Sequence, residues 1–98
     1  MASPTPLAQN HSVALEVPDP QRYFFHDPGL TRTPGGALLV AGPQWDRPTN
    51  WHRYAPADRH LRITRSTDGV QTWKEAEPLP YHEGTPFVLG DRLFMFVQ

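Results

Sequence analysis

The chain has 98 residues and a formal net charge of −1 at pH 7, with its 9 basic and 10 acidic residues interspersed. This length allows at most one small domain, and the mixed charges form no basic stripe that would bind nucleic acid. The 12 prolines and 7 glycines favour short strands joined by turns, and the absence of cysteine excludes disulfides and thiolate metal sites.

Residues 1–22 are predicted to form a flexible leader and one short strand. The start of the chain lacks the positive charge and the apolar run of a secretory signal, which leaves its compartment open. No segment approaches the roughly 20 apolar residues of a membrane span, so we expect a soluble chain. The strand is predicted at residues 13–17, which alternate in the manner of a half-buried strand.

A hairpin is predicted next, with one strand at residues 29–33 and an apolar strand at residues 37–41. The turn between them is Pro34-Gly35-Gly36. Proline presets φ at the first central position of such a turn, and glycine accepts the positive φ that follows.

Residues 42–59 are predicted to be irregular, and they are rich in proline, tryptophan, histidine and arginine. Loops of this length usually either have a function or are disordered. The aromatic side chains of Trp45, Trp51, His52 and Tyr54 are suited to stacking on sugars. The alternative is that these aromatic residues only pin the loop to the neighbouring sheet.

Three further strand regions complete the pattern. Residues 61–65 alternate between apolar and polar, residues 72–76 form another strand, and residues 86–89 and 92–97 form a hairpin that turns at Gly90-Asp91. The two hairpins share a pattern, and a weak repeat of four short antiparallel strands is typical of propeller blades. We therefore predict an all-β fold of antiparallel sheets.

The segment "STDGVQTW", residues 66–73, combines a carboxylate and a tryptophan and has two interpretations. It is either part of a sugar site or a tight turn. In the turn interpretation, which we favour, Asp68 and Ser66 accept hydrogen bonds from unpaired backbone N–H groups. Gly69 then allows the bend, and Trp73 buries its ring against neighbouring strands.

The same segment resembles the Asp-box, or BNR repeat, of sialidase-like β-propellers, whose pattern is Ser-x-Asp-(Gly)-Gly-x-Thr-Trp. Val70 replaces the second glycine, and the matching positions are Ser66, Asp68, Gly69, Thr72 and Trp73. The box and the hairpin before it extend the similarity over about residues 23–97. The resemblance implies a six-bladed propeller, of which residues 23–98 supply part.

In that fold, residues 29–76 would form the first blade and residues 84–98 the start of the second, about one and a half blades in all. The sequence stops inside the apolar segment "RLFMFVQ", so we expect a piece of a longer protein. Its partners would include the missing blades, and the isolated piece would be inactive and would aggregate or remain molten.

The resemblance implies that the parent protein is an exo-acting glycoside hydrolase of sialidase type, acting on terminal sialic acid or a related sugar. In that family an aspartate is the acid/base, and arginines grip the substrate carboxylate. Asp58 best matches the acid/base position, with Asp46 as the runner-up. His26, in "FHDP", stands where the first arginine is expected. The substrate-binding candidates are His26, Asp27, Trp51 and Arg59.

Each of these assignments has an alternative. His26 and Asp27 would otherwise be ordinary turn residues, and Asp58 a solvated loop charge. The parent protein would otherwise be a non-catalytic Asp-box propeller that binds glycans or proteins. No cofactor is expected, and the five histidines show no metal-ligand spacing, so no metal site is predicted.

Overall fold

The computed structural model describes residues 11–46 and 59–98. Over these residues the protein is all-β, with antiparallel sheets and no helix. The strands are β1 (Tyr23–Phe25), β2 (Gly29–Arg32), β3 (Leu38–Asp46), β4 (Arg59–Ser66), β5 (Lys74–Glu75), β6 (Gly84–Leu89) and β7 (Arg92–Val97). The predicted all-β antiparallel class is therefore confirmed.

Strand β3 lies at the centre of the larger sheet. Both β1 and β2 pair with the same side of β3, one after the other, and β4 pairs with its other side. Strand β5 extends the sheet beyond β4. Strands β2, β3, β4 and β5 thus form an antiparallel meander of consecutive neighbours.

The first predicted hairpin forms at β2 and β3. The Thr33 carbonyl accepts the Gly36 N–H, while the Ala37 N–H bonds to the Thr33 hydroxyl at 3.1 Å. Gly36 has a φ of 91°, which glycine adopts without steric cost. The connection therefore lies where it was predicted, but the positive φ is at Gly36 and not at Gly35, the second central position.

Two features of this sheet differ from the prediction. Strand β3 continues to Asp46, because residues 44–46 pair with β1 on one side and residues 42–45 pair with β4 on the other. The segment predicted to be irregular therefore begins as strand, and residues 47–58 lie outside the described residues. Strand β1 was not predicted, since three aromatic residues give no alternation to recognise.

No strand forms at residues 13–17, where one was predicted. This segment is held by contacts other than strand pairing. The carbonyl of Glu16 accepts a hydrogen bond from Arg62 at 2.7 Å, and the Leu15 side chain lies against Gly42. Leu15 packs inward while Val13 is 63% exposed, so the alternation in the sequence does not correspond to one buried face.

Strands β6 and β7 form the second predicted hairpin, with β6 packed on β2 and β3. Its turn contains Gly90 at a φ of 62°. The Phe87 ring stacks on those of Phe94 and Phe96, at centroid distances of 5.5 and 4.9 Å. Phe96 is nevertheless 70% exposed, so this hairpin has an apolar face that other described residues leave uncovered.

The core lies between the larger sheet and this hairpin, around Leu61 and the inner residues of β3. Leu61 is fully buried, as is Ala41. A Cβ atom at Gly84 would lie 2.3 Å from Leu61 Cδ2 and 3.0 Å from Met95 Sδ. The two sheets can approach this closely because position 84 has no side chain. Within the described ranges, no helix is long and apolar enough to cross a membrane.

Candidate functional site

The segment that resembles an Asp-box, residues 66–73, forms a turn that links β4 to β5 and is organised around one carboxylate. We call it the Asp-box turn after this resemblance. Asp68 Oδ1 accepts the Ser66 hydroxyl at 2.9 Å, the Gln71 N–H at 3.1 Å and the Thr72 N–H at 2.9 Å. Its other oxygen, Oδ2, accepts the hydroxyl of Thr72. Both carboxylate oxygens of Asp68 therefore have partners inside the turn.

These hydrogen bonds set the electrostatics of Asp68. The pKa of Asp68 is lowered from 3.8 to about 2. The hydroxyl and the N–H of Thr72 contribute most to this shift, and Ser66 and Gln71 contribute less. Hydrogen bonds to the charged form favour that form. A general acid needs a pKa near the working pH, so an ionised Asp68 is unsuited to that role. The geometry supports the turn interpretation of this motif.

The bend itself requires two successive residues with positive φ. Gly69 has a φ of 72° and Val70 a φ of 65°, while the Val70 N–H donates to Ser66 Oγ at 3.0 Å. A β-branched residue is strained in this region. Val70 is the position where the sequence departs from the glycine of the Asp-box pattern, so the departure falls where glycine would fit best.

Trp73 does not fill the core, which corrects the prediction that its ring is buried. The side chain is half-buried, and its Nε1 donates to the Ser12 hydroxyl at 2.8 Å. The Ser12 hydroxyl in turn donates to the carbonyl of Val70. The polar end of the tryptophan thus connects residues of the predicted leader to the Asp-box turn, because its N–H needs an acceptor.

A second group of polar side chains lies where β1 and β2 meet the start of the second hairpin. His26 Nδ1 is 3.3 Å from Asp27 Oδ2 and 3.6 Å from Glu83 Oε1. The backbone holds both ends: the His26 N–H bonds to Pro43 O at 3.0 Å, and Glu83 O accepts the Gln98 N–H at 3.0 Å. The structure therefore brings together two predicted residues, His26 and Asp27, and adds Glu83.

Trp45 supports this group and is not a stacking surface for sugars. Its ring stacks on the His26 ring at 4.6 Å and an interplanar angle of 17°, and Nε1 donates to His82 O at 2.7 Å. Only 7% of Trp45 is exposed. The alternative in which aromatic residues pin the chain to the sheet therefore holds for this residue.

Arg62, which the sequence analysis did not single out, is the centre of a third polar group. Its Nε and Nη2 donate to the two oxygens of Glu75 at 2.8 and 2.7 Å, and its Nη1 donates to Gln44 Oε1 at 2.8 Å. This pairing raises the pKa of Arg62 and lowers that of Glu75. The group borders a cavity of about 300 Å³ lined by Glu16, Pro18, Gln44, His60, Arg62, Glu75 and Pro78.

The remaining predicted residues are not brought together with His26. Asp46 ends β3, and its carboxylate is 3.6 Å from Arg22 Nε, an exposed ion pair of little energetic value. Arg59 begins β4, where its backbone is paired with Trp45. Asp58 and Trp51 lie outside the described residues.

Three site residues, Glu83, Arg62 and Glu75, were not predicted from the sequence, for different reasons. Glu83 is far from His26 along the chain, so no local spacing could reveal the pair. Arg62 and Glu75 carried a usable signal, because opposite charges at diagonal positions of two neighbouring strands can interact, and Glu75 pairs with Thr64, two positions from Arg62. Comparison of the chain with protein-family models, curated proteins and solved structures found no match.

Proposed function

We propose that this chain forms the first blade and the start of the second blade of a sialidase-like Asp-box β-propeller. The observation that carries the proposal is the Asp-box turn, with its carboxylate fully bonded inside the turn, between β4 and β5 of an antiparallel meander. The packing of a second hairpin on β2 and β3 adds support, because blades bury their faces against one another.

The proposed activity is exo-acting hydrolysis of a terminal sugar by the full-length protein. The chain would supply one wall of the pocket, with Asp58 as the acid/base and Asp46 as the second candidate. Trp51 and Arg59 would contact the substrate. The electrostatics near His26 bear on the choice of sugar, because carboxylates of Asp27 and Glu83 face the position where the family has an arginine.

Two carboxylates at this position favour a neutral sugar over sialic acid. A negative charge brought near them is repelled, and solvent screens the repulsion more at Asp27, 77% exposed, than at Glu83, 32% exposed. His26 could offset this only when protonated, and its Nδ1 already faces the two carboxylates. We therefore propose a related neutral sugar as the first candidate substrate and sialic acid as the second.

The test is to incubate the full-length protein with aryl glycosides of sialic acid and of neutral sugars and to measure the released aglycone. We expect release from at least one neutral glycoside and less or none from the sialyl compound. Release from none of the panel would contradict the hydrolase proposal. The Glu77→Gln variant should release the sugar at the wild-type rate, because Glu77 is exposed and lies outside the groups described above.

The second candidate is a non-catalytic propeller that binds glycans or proteins. This candidate is favoured because three carboxylates in the described part of the chain already have partners within the fold. Asp68 bonds to Thr72, Glu75 pairs with Arg62, and Asp46 pairs with Arg22. Saturable binding of a glycan without sugar release would support this candidate over hydrolysis.

A further inference from the structure

The His26 group has the composition of a metal site. It contains one imidazole nitrogen and two carboxylate oxygens, from His26, Asp27 and Glu83, and these ligand atoms all lie within 4.8 Å of one another. Ligand atoms around a zinc ion at bond lengths of about 2.0–2.2 Å lie roughly 3 to 3.5 Å apart. The distances of 3.3 and 3.6 Å from His26 Nδ1 to the two oxygens are close to that spacing.

The state of the imidazole is the second, independent observation. The Nδ1 atom of His26 is buried and makes no hydrogen bond, although 35% of the side chain is exposed and both oxygens lie within 3.6 Å of the nitrogen. A buried ring nitrogen without a partner is unfavourable. A cation seated between the nitrogen and the oxygens would give the nitrogen a partner, so this geometry points to a metal. The cation would also offset the two negative charges, so the preference for a neutral sugar stated above applies to the metal-free protein.

We infer that His26, Asp27 and Glu83 form a binding site for a divalent transition-metal ion of the zinc class. One nitrogen and two oxygens suit zinc, cobalt or manganese, whereas calcium and magnesium prefer oxygen ligands alone. Three protein ligands leave at least one position for water or another ligand. Asp27 is the side of the group open to solvent, with its side chain 77% exposed.

The three ligand residues lie next to strands of both sheets, so a bound ion would connect the two sheets. His26 and Asp27 lie between β1 and β2, while Glu83 directly precedes β6. The sheets already meet here through the hydrogen bond from Trp45 Nε1 to His82 O at 2.7 Å. An ion held by all three ligands would fasten the second hairpin to the larger sheet and stabilise the folded protein by mass action.

The ring of His26 is held ready for this role. It stacks on the buried Trp45 ring and meets the Phe24 ring edge-on at 6.4 Å. These contacts limit rotation of the imidazole, so little freedom is lost when the ion binds. The competing arrangement is a protonated His26 that simply pairs with the two carboxylates, and it predicts no gain from zinc.

The experiment is calorimetric titration of the metal-stripped, full-length protein with Zn²⁺, with Co²⁺ absorption as a second readout. We expect one equivalent of Zn²⁺ to bind and the thermal midpoint to rise with zinc concentration. His26→Gln and Glu83→Gln should each weaken this equivalent at least tenfold and abolish the visible Co²⁺ bands. His11→Gln and Glu77→Gln, at exposed positions, should bind zinc as the wild type does.

Far-UV circular dichroism shows whether each variant is folded, and Asp27→Asn provides a third variant at a mostly exposed side chain. It should weaken zinc binding while preserving the circular-dichroism spectrum. Three results would overturn the inference. The first is that the wild type binds no zinc, or that the His26, Asp27 and Glu83 variants bind it as tightly as the wild type does. The other two are that His11→Gln weakens zinc binding as much as His26→Gln does, or that Mg²⁺ binds as tightly as Zn²⁺.

Discussion

Asp68 is bonded to Thr72 twice, by the Thr72 N–H at 2.9 Å and by the Thr72 hydroxyl at its other carboxylate oxygen. The carboxylate of Asp68, for which a sugar site was the less favoured interpretation, is thus bonded to the residue four positions further on. Hydrogen bonds of this kind satisfy donors that a tight turn leaves unpaired. The segment at residues 66–73 therefore forms a turn, and Asp68 is bonded within it.

The first prediction concerns the pH dependence of stability at Asp68. Its folded-state pKa of about 2 lies below the ordinary value of 3.8, so folding favours the charged carboxylate. This contribution is complete above the unfolded pKa and is lost as the pH falls through about 2. Asp68→Asn should lower the urea midpoint more at pH 7 than at pH 2. An equal effect at both pH values would contradict the role assigned to the charge.

The second prediction is that Val70→Gly stabilises the protein. A left-handed conformation costs a non-glycine residue roughly 1–2 kcal/mol, and Val70→Gly removes this cost. The more flexible unfolded chain of the glycine variant offsets about 0.5–1 kcal/mol of the gain. The expected net gain is about 0.5–1 kcal/mol in the free energy of unfolding, measured by urea denaturation.

Gly69→Ala is the matched comparison, because Gly69 has a φ of 72° and no atom within 4 Å of an added Cβ. It should destabilise the protein through backbone strain alone. If Val70→Gly destabilised the protein as well, the strain assigned to Val70 would be wrong.

The third prediction concerns the pair formed by Arg62 and Glu75. Lysine cannot reproduce the two-pronged contact of arginine, so Arg62→Lys should cost about 1–2 kcal/mol, a figure reduced for the partial exposure of Glu75. In a double-mutant cycle, Arg62→Lys with Glu75→Gln should cost less than the sum of the single changes. Strict additivity in urea unfolding would show that the contact contributes no coupling.

Acid should weaken the same pair. Bonding to Arg62 lowers the pKa of Glu75 below its ordinary 4.5. Stability from this pair is therefore present above the unfolded pKa and falls as acid protonates Glu75. The loss should disappear from the pH profile of Glu75→Gln, and a profile identical to that of the wild type would count against the pairing.

The fourth prediction tests the contact between the sheets at Gly84. An added methyl group would overlap Leu61 Cδ2, 2.3 Å away, so Gly84→Ala should cost about 1–3 kcal/mol. Gly35→Ala is the control, because no atom lies within 4 Å of its Cβ position and its φ is not positive. The control should change stability by less than about 0.5 kcal/mol. Equal effects of the two substitutions would contradict the close packing of β6.

The sequence predicted those parts of the fold that depend on local chemistry. Both hairpins lie where turn residues predicted them, because positive φ at Gly36 and Gly90 is a property of the residue type. The strand at Tyr23–Phe25 and the extension of β3 were missed, since each depends on pairing with a distant segment. Backbone pairing of this kind leaves no signature in a short window of sequence.

The candidate site was predicted only in part, for a related reason. His26 and Asp27 are adjacent in the chain, but Glu83 joins them only because β6 packs on β2 and β3. Of the two alternatives for Trp45, the structure favours pinning over sugar stacking, because its ring supports His26 from inside the protein. Such relationships require the tertiary structure.

The most direct test of the account compares sugar release by the full-length protein and by its Asp68→Asn variant, at a temperature where both are folded. We expect the wild type to hydrolyse a neutral aryl glycoside, and the variant to keep a kcat/KM within about twofold while its thermal midpoint falls. No release of any sugar by the wild type would contradict the proposed activity. A large loss of kcat/KM in a variant of unchanged stability would place Asp68 in the active site and contradict its assignment to the turn.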